Sequence, residues 1–138
     1  MKNLGRMISV TIALLAIVSF PVNAKLKKRV LATGVWGGQH ISFEVSAKGA
    51  KVEYDCAHST IERAIVLDGK GHFNVSGRQF PERGGPVREG EQSSYAVVFS
   101  GQVKGQTMTL NVRNSSTRED LGTFTLAHGA QPELFKCK

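Results

Sequence analysis

From His40 to Ser46 polar and apolar residues alternate without a break. His40, Ser42, Glu44 and Ser46 fall on one side, and Ile41, Phe43 and Val45 on the other. A period of two is the signature of a strand with one wet face and one buried face. The stretch it belongs to, Gly34 to Ser46, opens with the only Trp of the chain, followed by Gly37 and Gly38, where a backbone can bend or be approached closely. The same alternation returns again and again downstream. No segment of ten or more residues beyond residue 24 shows helical spacing. A chain so patterned has to bury the apolar face of a sheet against sheet.

The expected strands follow in order. Lys48-Gly49 marks a tight reversal, and Ala50 to Cys56 alternates again, with Val52 and Tyr54 set against Lys51, Glu53 and Asp55. Ala57 to Thr60 breaks the pattern and reads as a loop or one helical turn. Thr60 to Asp68 reads as a third strand with Ile61, Ile65 and Leu67 inward and a bulge at Arg63-Ala64. Asp68-Gly69-Lys70-Gly71 is a strong turn signal before a strand from His72 to Phe80. Pro81 to Ser94 is the one long irregular stretch, of the kind that is uncommon in compact domains and often functional or mobile. Tyr95 to Val103, Thr107 to Arg113 and Leu121 to His128 complete the series, with Leu134 to Cys137 as a short eighth strand closing the sheet. The reading is an all-β fold: an antiparallel up-and-down barrel of seven or eight strands, with a two-sheet sandwich as the alternative.

The first 24 residues stand apart. Lys2 and Arg6 precede an apolar run, Met7 to Phe20, and Val22-Asn23-Ala24 supplies a cleavage site. The run is 14 residues, short of the ~20 that cross a bilayer. Residues 1–24 are therefore expected to be a cleavable signal peptide, which makes this a periplasmic or secreted bacterial protein with no integral membrane segment after cleavage. Residues 25–33 read as a basic N-terminal tail, through Lys25, Lys27, Lys28 and Arg29, and 34–138 as a single β-barrel domain. The signal holds two of the 18 basic residues and none of the 11 acidic ones, leaving a balance of +5 in scattered charges. Two cysteines in an exported chain read as one disulfide, Cys56–Cys137. Alternation turns both sulfurs inward. A loop this long stabilises the fold by roughly 4–5 kcal/mol on the chain-entropy model.

Gly34-Val35-Trp36 at the head of the first strand resembles the start of the calycin-type barrels, the lipocalin, avidin and fatty-acid-binding group. The resemblance covers these three residues and the strand count. It implies a Trp plugging one barrel end and a binding module rather than an enzyme. Several small exported protease inhibitors are similar barrels of this size.

No catalytic motif emerges. Asp55-Cys56-Ala57-His58 sets a thiol near an imidazole, an activated pair if the thiol were free, but the disulfide consumes it. His40, His58, His72 and His128 have no metal-ligand spacing, so no metal and no cofactor is expected. Neither a Gly-x-Ser-x-Gly elbow nor a phosphate loop is present. Phe43, Tyr54, Phe73, Phe99 and Phe124 take inward positions, which argues against an aromatic nucleic-acid platform. Two binding candidates remain. One is the barrel interior, either filled by its bulky side chains or holding one small ligand. The other is the Pro81–Ser94 loop, where Arg83, Gly84, Gly85 and Arg88, with Trp36 nearby, form a shaped tip or a solvated loop. The expected function is an exported, non-enzymatic binding or interaction barrel for a protein partner or a small apolar ligand. The alternatives are an inhibitor of an envelope or extracellular enzyme acting through residues 81–94, and a Cys-dependent enzyme.

Overall fold

The structure is a computed structural model and describes residues 18–21, 28–83, 85–86, 89–90 and 93–137. The expected signal peptide thus lies outside the described residues except for 18–21, which form no regular element. The strands are β1 (Arg29–Val30), β2 (Gly34–Gly38), β3 (Ile41–Ser46), β4 (Gly49–Tyr54), β5 (Ala57–Ile61), β6 (Val66–Leu67), β7 (His72–Pro81), β8 (Tyr95–Lys104), β9 (Thr107–Asn114) and β10 (Asp120–His128). There is no helix among the described residues. Eight strands close into a barrel in the order β10-β2-β3-β4-β5-β7-β8-β9, every neighbouring pair antiparallel.

The closing seam differs from the sequence expectation. Leu134–Cys137 is not a strand. The extra strand comes instead from splitting the opening stretch at Gln39–His40. His40 adopts a left-handed φ of 64°, which turns the chain back on itself rather than leaving the imidazole on a strand face. The freed β2 then pairs with β10 through Leu126↔Gly38, Ala127↔Gly37 and His128↔Trp36. Closing this seam leaves no free edge strand in the barrel.

The stretch read as a third strand, Thr60 to Asp68, is also two pieces. Ala57–Ile61 belongs to the barrel, and the Arg63-Ala64 step is a break rather than a bulge. Val66–Leu67 pairs with β1 in a separate two-stranded sheet. Ile61, Ile65 and Leu67 are nevertheless all buried, as the alternation requires. The basic tail is shorter than expected. Arg29–Val30 are paired, and Leu31 is buried, its amide donating to the Ile65 carbonyl at 2.9 Å. An apolar side chain placed beside an unfilled barrel end is held there by burial.

Hairpin turns are tight where the sequence puts Gly, but for differing reasons. Gly49 does not use a left-handed φ. It is Gly because an added Cβ would run into the Ile61 carbonyl oxygen of the neighbouring strand.

The interior follows the period-two phase. Ile41, Phe43, Val52, Val97, Phe99, Met108, Leu110 and Val112 are essentially sealed from water, and Phe43 and Phe99 meet edge-on across the barrel at 6.3 Å. The outward positions carry Glu44, Lys51, Arg78 and Arg113. Up-and-down connectivity sorts the connections onto two ends. Gly34, Ser46, Gly49, Ile61, His72, Lys104, Thr107 and His128 mark one end. Gly38, Ile41, Tyr54, Ala57, Pro81, Tyr95, Asn114 and Asp120 mark the other.

Candidate ligand site at the open end of the barrel

The first end is closed. Residues 28–33 and the 62–71 connection both lie there, and they bring Leu31, Ile65 and Leu67 into the same apolar cluster as Trp36. Trp36 is 1% exposed and donates its indole N–H to the Ala32 carbonyl at 3.0 Å. The His128 ring packs on the indole at 4.8 Å. One of its nitrogens reaches the Thr33 carbonyl, at 2.9 Å.

The second end is hollow. A cavity of about 280 Å³ opens there, lined by Tyr54, Ala57, Val112, Leu121 and Phe124, together with Gln79, His40, Asp55 and Cys56. Gln79 takes the inward phase of β7 after Phe73, Val75 and Gly77. Its amide is the middle of a short chain: Ser59 Oγ donates to Gln79 Oε1 at 3.3 Å, and Gln79 Nε2 donates to Tyr95 Oη at 3.0 Å. Burial pushes the Tyr54 phenol well above its ordinary range, offset in part by the Ser59 hydroxyl, so the group stays protonated. Its Oη is sequestered, with no hydrogen bond of good geometry.

The C-terminal segment fastens one side of this mouth from outside. It leaves β10 at the closed end and passes directly over Gly37, where an added Cβ would run into the Ala130 carbonyl. Glu133 and the β2–β3 turn exchange backbone hydrogen bonds, Glu133 N to Gly38 O at 3.0 Å and His40 N to Glu133 O at 2.8 Å. The Phe135 amide then donates to Asp55 Oδ1 at 2.8 Å, and the Cys137 amide to the Asp55 carbonyl at 2.9 Å. Lys136 Nζ reaches Glu53 Oε2, Glu82 Oε2 and the Tyr54 carbonyl at 2.7, 3.0 and 2.9 Å. Cys56 and Cys137 are bonded, with Cα atoms 5.1 Å apart, a separation ordinary for a disulfide.

The ion pairs at this clasp follow from those contacts. The Phe135 amide, followed by the His40 ring N–H at 2.6 Å, holds the Asp55 carboxyl below its ordinary value. Lys136, with the His58 ring N–H at 2.9 Å, does the same for Glu82. Partial desolvation works against the Lys136 ammonium, but Glu53 and Glu82 outweigh it and raise its pKa.

The candidate residues of the sequence are therefore divided between the ends. Trp36 is sealed into the closed end and does not join the loop. Pro81 and Tyr95, the two roots of the Pro81–Ser94 loop, stand at the open end. Arg83 is exposed and partnered, and Gly85 has a left-handed φ of 99° with open space around it. Gly84 and Arg88 lie outside the described residues. The sulfurs do not point inward: β4 ends at Tyr54, so alternation no longer governs Cys56, and both cysteines are exposed. Cys56 is in the disulfide and His58 stacks on Phe80 at 4.9 Å while bonding Glu82, so the thiol–imidazole pair is not assembled. His40, His58 and His72 each face a different carboxylate, Asp55, Glu82 and Asp68. Among the described residues no group of three or more His, Cys, Asp or Glu side chains is placed to hold a metal ion. Nor is any helix among them long and apolar enough to cross a membrane.

Sequence reading missed Gln79, Ser59 and the clasp. Gln79 did leave a signal, since a polar residue in the inward phase of a strand is a departure from the pattern around it. Ser59 left none, because Ala57 to Thr60 read as a loop.

Fold and site together define a class: a closed up-and-down β-barrel, plugged at one end, hollow at the other and clasped by a disulfide. Comparison with known proteins found no match, whether to a family model, a curated protein or a solved structure.

Proposed function

We propose that this chain is an exported, non-enzymatic binding barrel that takes a small, mainly apolar molecule into its open mouth. The observation that carries the reading is the inequality of the ends. The interior of one is plugged by Trp36, Leu31, Ile65 and Leu67, while the other keeps a cavity of about 280 Å³ with a mainly apolar lining. That volume is at the small end of ligand pockets, which are mostly apolar with a few placed polar groups. The resemblance of Gly34-Val35-Trp36 to calycin-type barrels supports it, since a Trp plug is what that resemblance implies. Export is part of the proposal: residues 1–24 have the makeup of a signal peptide, and a disulfide is compatible with an oxidising compartment.

Native mass spectrometry of the chain purified from its own host tests the reading. A retained small molecule is expected, and it should be lost from Ala57→Leu, which fills the cavity. Retention of the same mass by that variant would remove the mouth as its site.

An inhibitor reading has one observation in its favour. The Pro81–Ser94 loop is rooted at the open end, and neither Gly85 nor Gly90 has a neighbour within 4 Å of an added Cβ, so there is open space at these two positions. Deleting Gly84 to Gly90 should abolish capture of an envelope or extracellular enzyme while sparing small-molecule binding. Undiminished capture would end the inhibitor reading.

A further inference from the structure

The geometry points to the class of molecule the mouth accepts: an uncharged amphipathic compound, its single hydrogen-bonding group on the Gln79 amide and its apolar body against Val112, Leu121 and Phe124. This rests on the reading of the mouth as a ligand site and adds the ligand class and the residue that selects it.

Three observations lead there. The first is charge. The ionisable side chains lining the cavity are His40, Asp55 and Tyr54. His40 and Asp55 are engaged with each other at the rim, at 2.6 Å, and Tyr54 is held as the neutral phenol. Cys56 is in the disulfide. A carboxylate drawn inside would lose its hydration beside the Asp55 carboxylate, and an ammonium would have to displace the His40 ring from Asp55 to find an opposite charge, both of which are unfavourable. The second is the polar wall. Ser59 and Tyr95 are the partners of the Gln79 amide among the described residues, and an amide has more hydrogen-bonding positions than those two contacts use. The Tyr95 hydroxyl accepts from the Gln79 amide. An alcohol, a phenol or a neutral amide satisfies such a wall in either sense, as donor or acceptor. The third is size and shape. With about 280 Å³ bounded by one Phe, one Leu, one Val, one Ala and one Tyr, the apolar part is a short chain or a single ring.

Gln79 is then the specificity residue. Leu in its place keeps the volume and removes both hydrogen-bonding senses, so an alcohol loses its partner and gains nothing from its hydroxyl.

The test is a matched set of probes on the full disulfide-bonded chain at pH 7: 1-hexanol, hexanoate and hexylammonium, followed by amide chemical shifts. Saturable shifts at Ala57, Gln79, Val112 and Leu121 are expected with 1-hexanol, and affinity for it about tenfold or more above that for either ion. Gln79→Leu should lower the 1-hexanol affinity by about tenfold. Hexanoate or hexylammonium binding as tightly as 1-hexanol, or an unchanged affinity in Gln79→Leu, would overturn the ligand class and leave the mouth as a site. No saturable shift at those amides with any probe would overturn the mouth itself. The ratio among probes in the unaltered chain decides the ligand class even where Gln79→Leu does not fold.

Discussion

The two ends of the barrel are built from the same kind of strand and finish differently. At the closed end the chain brings in its own apolar plugs, with Leu31, Ile65 and Leu67 packed beside Trp36. At the open end the inward phase runs out in Tyr54, Ser59, Gln79 and Tyr95, and among the described residues a cavity remains beside Tyr54 and Gln79. Its spare length goes to the outside, as the C-terminal segment pinned by Asp55, Lys136 and the disulfide. The difference teaches where stability and binding are separated. Close packing at one end holds the fold, and a covalent and ionic clasp steadies the rim of the other without occupying its mouth.

The sharpest way to break that contrast is to truncate each end. Trp36→Ala should cost about 3–5 kcal/mol in denaturant unfolding, as a large side chain deleted from a dry core does. Leu121→Ala, half-buried beside a cavity that already exists, should cost about 1 kcal/mol. Equal losses would mean that the ends are not mechanically distinct. The clasp comes next. Replacing Cys56 and Cys137 together by Ser should cost about 2–4 kcal/mol and speed hydrogen exchange at the Phe135 and Cys137 amides, which Asp55 accepts. Unaltered exchange there would show that the ionic contacts alone hold the segment.

Gly37→Ala tests whether the C-terminal segment is packed on β2 or merely tethered. A Cβ would strike the Ala130 carbonyl, so a loss of about 1–3 kcal/mol is expected by thermal melting, against no effect for a loosely tethered segment. Acid probes the rim more gently. Asp55 and Glu82 both have pKa values lowered by folding from ordinary values of 3.8 and 4.5. A carboxylate depressed in the folded state contributes stability above its unfolded pKa and loses it as pH falls through the folded one. Stability should therefore hold near neutrality and fall progressively below about pH 4.5, less so in Asp55→Asn. The smallest effect belongs to Tyr54→Phe, which removes a sequestered hydroxyl without a good partner and should be neutral or stabilising by up to about 1 kcal/mol. A clear loss would show that the hydroxyl is hydrogen-bonded after all.

How much of this was readable in advance varies with range. Alternation correctly sends Phe43, Val52, Phe99, Leu110 and Leu126 inward, because side-chain direction in a strand is set by the residue's own backbone. It also carries a signal for Gln79, a polar residue in an apolar phase, which the sequence reading passes over. It misplaces Cys56, since the phase holds only while the strand does, and β4 stops two residues earlier. It joins Ile61 to Leu67 in one strand, because both halves bury the same face while pairing with different partners, β4 and β7 for one and β1 for the other.

The order of residues alone determined an all-β chain, the inward set of most of its strands and, by parity, which two sulfurs bond. Only the tertiary structure decided that β2 and β10 close the barrel, that Leu31 and Trp36 plug one end and that a mainly apolar hollow, with Gln79 on its wall, opens at the other. Period two is a local steric property, legible within a few residues. An end is open or shut according to strand stagger and to which distant segment docks there, and those depend on contacts between residues far apart in the chain.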